Sequence, residues 1–318
     1  MCTAISDSGA RHIFGRTLDL EFSLGERVVI TPRRFRFNFL HLPSPAEHYA
    51  IIGAAHIADG VPLYYDAANE RGLCAAALNF PGFAEYHSVK RWLHNAASFE
   101  LIPWVLSRAE SVEQVRRLLV NSNITDDSFS QELSATPLHW IFADRHSAIA
   151  VESTRTGLEI HDNPEGVLTN SPVFSYHTIN LEHYTHIMNE PTLPSRTVHS
   201  RGLSAFGLPG DFSSSSRFIK AAYVKSHTEP PMSKTEAVSR FFHLMDTVSQ
   251  PRGITRSAED APVRTVYISA IDTESLEYFF TTYENRRVRC VKLDTATAIG
   301  ENLRAIPMHS EEDVLQLD

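Results

Sequence analysis

Short apolar runs separated by turn residues fill the first third of the chain, at residues 3–6, 12–15, 27–31, 49–54 and 73–79. Runs of this length, rich in Ile, Val, Phe and Ala, predict strands, and those without polar interruption predict strands buried on both faces. The period then changes. Residues 99–108 and 112–121 carry apolar positions at helical spacing (Val112, Val115, Leu118, Leu119), and Ser111 with Gln114 has the spacing of a capping box. Strands return at 138–142, 148–153 and 158–161. A Pro-rich stretch, 169–209, is too polar and too broken to form core. Two further helices are predicted at 215–225 and 234–249, the second opened by Ser233 and Glu236, and strands close the chain at 265–271, 276–282 and 287–292 with a turn at Glu284-Asn285.

This order of strands, helices, strands, helices and strands predicts an α+β fold in which sheets pack on each other and the helices lie outside. A doubly wound fold would alternate strand and helix one by one, and neither GxGxxG nor a Walker loop is present. No repeat or linker divides the 318 residues, so one domain is expected. The net charge of −9 offers no basic surface to a phosphate backbone, which argues against nucleic acid as a partner. No apolar run reaches the roughly 18 residues of a membrane span, and no secretory leader is recognisable, so the expected setting is the cytoplasm, with no membrane partner. The three cysteines form no CxxC pair and their odd number leaves at least one thiol free. Cys74 and Cys290 read as core thiols.

The remaining one, Cys2, follows the initiator methionine, and cysteine is small enough for that methionine to be trimmed. The mature chain would then carry a thiol and an α-amine on one residue. With ordinary pKa values near 8.5 and 7.7–8.0, the amine can take the proton of the thiol close to neutral pH without a histidine. Five local patterns accompany it in order: MCT at the start, FGRTLD at 14–19, NFPG at 79–82, LTNSP at 168–172 and LPGDFSSSSRF at 208–218. Together they resemble the choloylglycine hydrolases, the bile salt hydrolases and penicillin V acylases of the N-terminal-nucleophile hydrolases.

The resemblance implies a four-layer αββα sandwich of two mainly antiparallel sheets. It implies hydrolysis of a linear amide with no metal or organic cofactor. It puts the nucleophile on Cys2, a charged pair on Arg16 and Asp19, oxyanion donors on Asn170 and Asn79, and a further cation on Arg217. Many relatives have Asn where this chain has Thr17. Chemically, Asn side chains suit a tetrahedral oxyanion, Asp19 could orient the amine, and Arg16 and Arg217 could favour the thiolate.

Leu20, Phe22, Leu24, Ile57, Val61, Leu63, Tyr64 and Phe80 are candidates for an apolar substrate wall, if 20–24 and 57–64 are loops over the Cys2 end. Such a wall suits the steroid body of a glycine- or taurine-conjugated bile salt; penicillin V or another N-acyl amide is the alternative, and a non-catalytic binder of amphipathic small molecules is a third reading. His177, His183 and His186 lack a third ligand at regular spacing and read as solvated loop residues rather than a metal site. Ser213–Ser216 reads as a cluster capping a helix. The segment at about 185–205 resembles the arm through which relatives assemble, commonly as homotetramers.

Overall fold

A computed structural model describes residues 1–188, 205–308 and 311–317; most of the expected assembly arm, 189–204, lies outside the described residues. Two large antiparallel sheets face each other. In one, β12 (Val167–Leu168), β1 (Cys2–Ser8), β2 (His12–Leu20), β14 (Pro262–Asp272), β15 (Glu277–Thr282) and β16 (Arg289–Lys292) lie side by side, with β13 (Thr255–Arg256) paired to β14. In the other the order is β11 (Gly157–Asp162), β10 (Ala148–Thr154), β9 (Leu138–Ala143), β6 (Cys74–Asn79), β5 (Val61–Asn69), β4 (Ile51–Ala58), β3 (Arg27–Thr31) and β17 (Arg304–Pro307). A short parallel pair, β7 (His94–Ala97) and β8 (Ser122–Thr125), stands apart.

Helices α5 (Ser214–His227) and α6 (Lys234–Asp246) cover the first sheet, and α1 (Leu101–Leu106) and α2 (Val112–Leu119) cover the second. The result is the expected αββα layering. One hydrophobic core fills the space between the sheets and under α5 and α6, and a second lies between the second sheet and α1 and α2. β1 and β2 are buried almost throughout, which is why they read as unbroken apolar runs.

Several elements differ from the sequence expectation. β5 occupies the stretch expected to be a loop, and its turn was available: Asp59-Gly60 joins β4 to β5 with positive φ at both residues, the conformation a two-residue hairpin needs. The Pro-rich region contains α3 (Phe174–Glu182) and α4 (Thr185–Met188). α7 (Thr295–Ala298) precedes β17. Both predicted helix caps form, with Ser111 and Ser233 accepting from Gln114 and Glu236. The return bonds reach one residue further back, to the N–H groups of Glu110 and Met232. Cys74 is buried as expected, and burial pushes its thiol well up. Cys290 is exposed, contrary to expectation, because β16 is an edge strand whose alternate residues face solvent.

Far along β2 from the site, His12 is fully buried between Ser6 Oγ at 2.9 Å and Thr273 Oγ1 at 3.2 Å. Burial lowers its pKa to about 4, from an ordinary value of 6.5. The unfolded chain therefore binds more protons between these values, so stability is complete above pH 6.5 and falls as the pH drops through 4. The displacement corresponds to about 3 kcal/mol. Denaturant titrations from pH 7 to 4 should show a flatter acid limb for His12→Gln than for wild type. Equal slopes would exclude His12 as the source.

Candidate active site

Cys2 opens β1 and is 2% exposed. Its register is fixed by pairing of Cys2 with Leu18, and the hydrogen-bonded pair Met1 N to Asp19 O (2.8 Å) and Asp19 N to Met1 O (3.0 Å) extends the β1–β2 ladder by one residue. The Cys2 N–H donates to Asn170 Oδ1 at 2.7 Å. Arg217, buried in the first turn of α5, donates through Nη1 to the Cys2 carbonyl and to Thr3 Oγ1 (2.7 Å), through Nη2 to Asn170 Oδ1 (2.8 Å) and through Nε to Phe212 O (3.0 Å). Burial pushes this guanidinium's pKa down, while Asp19 and Cys2 work in the opposite direction.

Arg16 projects from β2 and is likewise buried. Its Nη1 donates to Tyr65 O (2.9 Å) and Ala77 O (2.5 Å), and its Nε donates to Thr17 O (3.2 Å). Burial opposes its charge, but Cys2, Tyr267, Asp66 and Asp19 outweigh burial and hold its pKa above the ordinary value. The Tyr65 acceptor exists because of a bulge. Asp66 pairs with Ala54 and Tyr64 with Ala55, so Tyr65 is the extra residue and its carbonyl is released from the regular ladder. Gly15, beside Arg16, has no room for a side chain: a Cβ would lie 2.0 Å from Ser269 O.

The Asp19 carboxylate accepts from Thr265 Oγ1 (2.6 Å), Thr17 Oγ1 (3.2 Å) and Gln250 Nε2 (3.2 Å). Thr17 is thus part of the network and also accepts from Thr3 N at 3.1 Å. Gln250 and Thr265 lie more than 230 residues from Asp19, and no local signal marked them. A bulge at Val266 in the β2–β14 pairing brings Thr265 opposite Asp19.

Asn170 follows β12. Its Oδ1 faces two donors, which fixes the orientation of the amide, and its Nδ2 donates to Asn79 O at 2.8 Å. The oxygen of the side chain expected as an oxyanion donor thus accepts from Cys2 and Arg217, and one of its two Nδ2 N–H groups goes to the strand end that carries Asn79. Ser213 caps α5 as expected, and the neighbouring Ser214 Oγ lies 2.8 Å from both N and O of Asn170. His177, expected to be a solvated loop residue, is fully buried in α3 and donates from Nε2 to Asn170 O at 2.9 Å. His183 and His186 are exposed, and no group of His, Cys, Asp and Glu able to hold a metal occurs among the described residues.

A cavity of about 340 Å³ opens onto Cys2, Arg16 and Asn79. Of the expected wall residues, Leu20, Leu24, Leu63 and Tyr64 line it. Leu24 is held there by Glu26, whose carboxylate accepts from Leu24 N (2.8 Å) and Ser23 Oγ (2.5 Å). Phe22 is exposed, Ile57 and Val61 lie outside the lining, and Phe80 is fully buried against His139, their ring centroids 4.4 Å apart. The rest of the apolar lining comes from segments the sequence did not mark: Phe99, Ile102, Phe129, Leu133, Leu138 and Trp140. A roomier groove of about 560 Å³ between α6 and β15 has its charges paired internally, Lys234 with Glu277 and Arg286 with Asp246, and contains no cysteine.

A cysteine at the start of a buried strand, two buried arginines and an apolar cavity thus meet on one end of a two-sheet αββα sandwich. The family model for linear amide C–N hydrolases of the choloylglycine hydrolase family matches residues 2–305, and the chain belongs to that family. It is 39% identical to a bile salt hydrolase/transferase of Lactiplantibacillus plantarum over 98% of both chains, and 32% identical to a conjugated bile acid hydrolase of Lactobacillus gasseri over 95% of this chain and 99% of the other. Among solved structures, a C2A variant of the conjugated bile acid hydrolase from Clostridium perfringens superposes with a TM-score of 0.88 at 29% identity, covering all of both chains. The penicillin V acylase of Agrobacterium tumefaciens, at 21% identity and a TM-score of 0.78 over 96% and 90% of the two chains, shares the fold. No helix among the described residues is long and apolar enough to cross a membrane.

Proposed function

We propose that the protein hydrolyses the amide bond of glycine- or taurine-conjugated bile acids, with Cys2 as nucleophile once Met1 has been removed. The observation that carries this reading is the placement of the Cys2 thiol in a cavity walled largely by Leu, Phe, Tyr and Trp side chains, with Arg16 on the lining. A steroid body gains about 25 cal/mol per Å² of apolar surface removed from water, and a cation on the cavity lining favours an anionic conjugate. The activities named for the full-length relatives support the same substrate class.

In the proposed reaction the freed α-amine of Cys2 takes the thiol proton and the thiolate adds to the amide carbonyl. Asn79, which faces the cavity, is the side-chain donor for the oxyanion. Asn170, which does not, holds the α-amine through Oδ1, and Asp19 fixes the strand beside it. Collapse of the tetrahedral adduct breaks the C–N bond as the α-ammonium protonates the leaving amine. Water then attacks the thioester with the amine as base, releasing the free acid and restoring the thiol.

The protein is a homotetramer in this reading, assembled through the arm at 185–205. Purified chain beginning at Cys2 should hydrolyse glycocholate and taurocholate faster than penicillin V, as measured by release of glycine, taurine and 6-aminopenicillanic acid. Faster turnover of penicillin V than of either bile salt would reverse the assignment.

A further inference from the structure

Two segments far apart in sequence carry the asparagines of the site, Asn79 at the end of β6 and Asn170 after β12. One buried imidazole touches both. His139 pairs with Leu78 across β6 and β9, and its ring stacks on Phe80 with planes 6° apart. Its Nε2 lies 2.9 Å from Thr169 O, the carbonyl immediately before Asn170. The ring is completely buried. Its orientation is set by Glu152, the residue directly opposite on β10, whose Oε1 lies 3.1 Å from Nδ1 and also accepts from Phe174 N at 2.9 Å.

A buried, hydrogen-bonded carboxylate placed beside a buried imidazole is an expensive arrangement for a core, where apolar residues of similar size would do as well or better for stability. Its geometric effect is specific. Thr169 O fixes an N–H on Nε2, Glu152 prevents the ring from turning, and the ring then locks the Asn79-Phe80 and Thr169-Asn170 segments to one another. We propose that His139, oriented by Glu152, is a positioning residue for the hydrolytic reaction, holding Asn79 at the oxyanion and Asn170 at the Cys2 nitrogen. The inference rests on the catalytic reading of Cys2 and Asn79 given above. His139 itself does not line the cavity, so it acts through these two residues.

The test compares His139→Phe, which keeps a flat ring for Phe80 but removes the donor to Thr169, with Glu152→Gln and Glu152→Leu. Gln can donate to Nδ1 and keep the imidazole in place; Leu cannot. Each chain is checked by intact mass for a free Cys2, by thermal melting for folding, and by mapped alkylation with iodoacetamide for the reactivity of Cys2. Since displacement of reacting groups by about 1 Å can cost about 10²-fold, His139→Phe and Glu152→Leu should lower kcat on glycocholate about 10- to 100-fold. KM should stay within about threefold, the Cys2 alkylation rate should fall no further than kcat does, and Glu152→Gln should stay within about threefold in kcat.

A kcat for His139→Phe within threefold of wild type would overturn the inference, as would a KM that rises in step with the fall in kcat. If His139→Phe does not fold, equal kcat values for Glu152→Gln and Glu152→Leu would overturn it equally well. If wild type leaves glycocholate intact but cleaves penicillin V, the substrate assignment fails on its own and the same variants decide the positioning role on penicillin V. If wild type cleaves neither, the catalytic reading has failed and takes this inference with it.

Discussion

Chain that begins at Cys2 is expected to turn over conjugated bile salts, and chain that retains Met1 is expected to be inactive while remaining folded. With Met1 in place the Cys2 nitrogen is an amide: it donates to Asn170 Oδ1 but has no lone pair basic enough to take the thiol proton. The fold accommodates the longer form, because Met1 adds one more hydrogen-bonded pair with Asp19 to the ladder. Separating the two forms by mass and assaying each should give a difference of at least about 10⁴-fold, the scale seen when a nucleophile is lost. Cys2→Ala should give the same loss in processed chain and leave bile salt binding measurable by calorimetry. Equal turnover by the Met1-bearing form would rule out the amine as base.

The second large effect is expected at Arg217. One guanidinium reaches four acceptors on three separated segments: Cys2 O, Thr3 Oγ1, Asn170 Oδ1 and Phe212 O. Lys cannot span them, because a single ammonium on a flexible stem replaces a planar fork of five donors. Arg217→Lys, with three donors for four acceptors, should therefore leave at least one of these buried acceptors without its donor, at about 1–3 kcal/mol, and let Cys2 and Asn170 move independently. We expect kcat/KM to fall about 100-fold or more and the denaturation midpoint to drop, read at a temperature where the variant is still folded. Activity within tenfold of wild type would show that the charge alone suffices at this position.

How far the sequence could be read depended on whether the signal was local. Cys2, Arg16, Asp19, Asn79, Asn170 and Arg217 sit in short motifs, and the structure places them around one strand end. The layering was legible too, since buried strands and amphipathic helices differ in period. The partners of these residues were not legible. Gln250 and Thr265 reach Asp19, and His139 reaches Thr169, only after β2, β14, β9 and β12 have found their neighbours, and nothing in a single sequence specifies those pairings. His177 misled for a related reason: its polar, Pro-rich context described the segment, whereas its burial depends on α5 packing against α3. Only part of the cavity wall is legible in the sequence, because Leu20 and Leu24 follow the FGRTLD motif directly while Phe99, Ile102, Phe129 and Leu133 come from distant loops and a helix.

The bulge at Tyr65 sets stability and function against each other. A regular β4–β5 hairpin, one residue shorter, would be the better sheet, since every carbonyl in it would find a ladder partner. It would also take away the Tyr65 oxygen that holds Arg16 and rotate each residue beyond the deletion to the opposite face. Redesign of this chain for thermal resistance by smoothing its strands would thus tend to yield a sturdier fold with an empty site, and the irregular position is the one to leave alone.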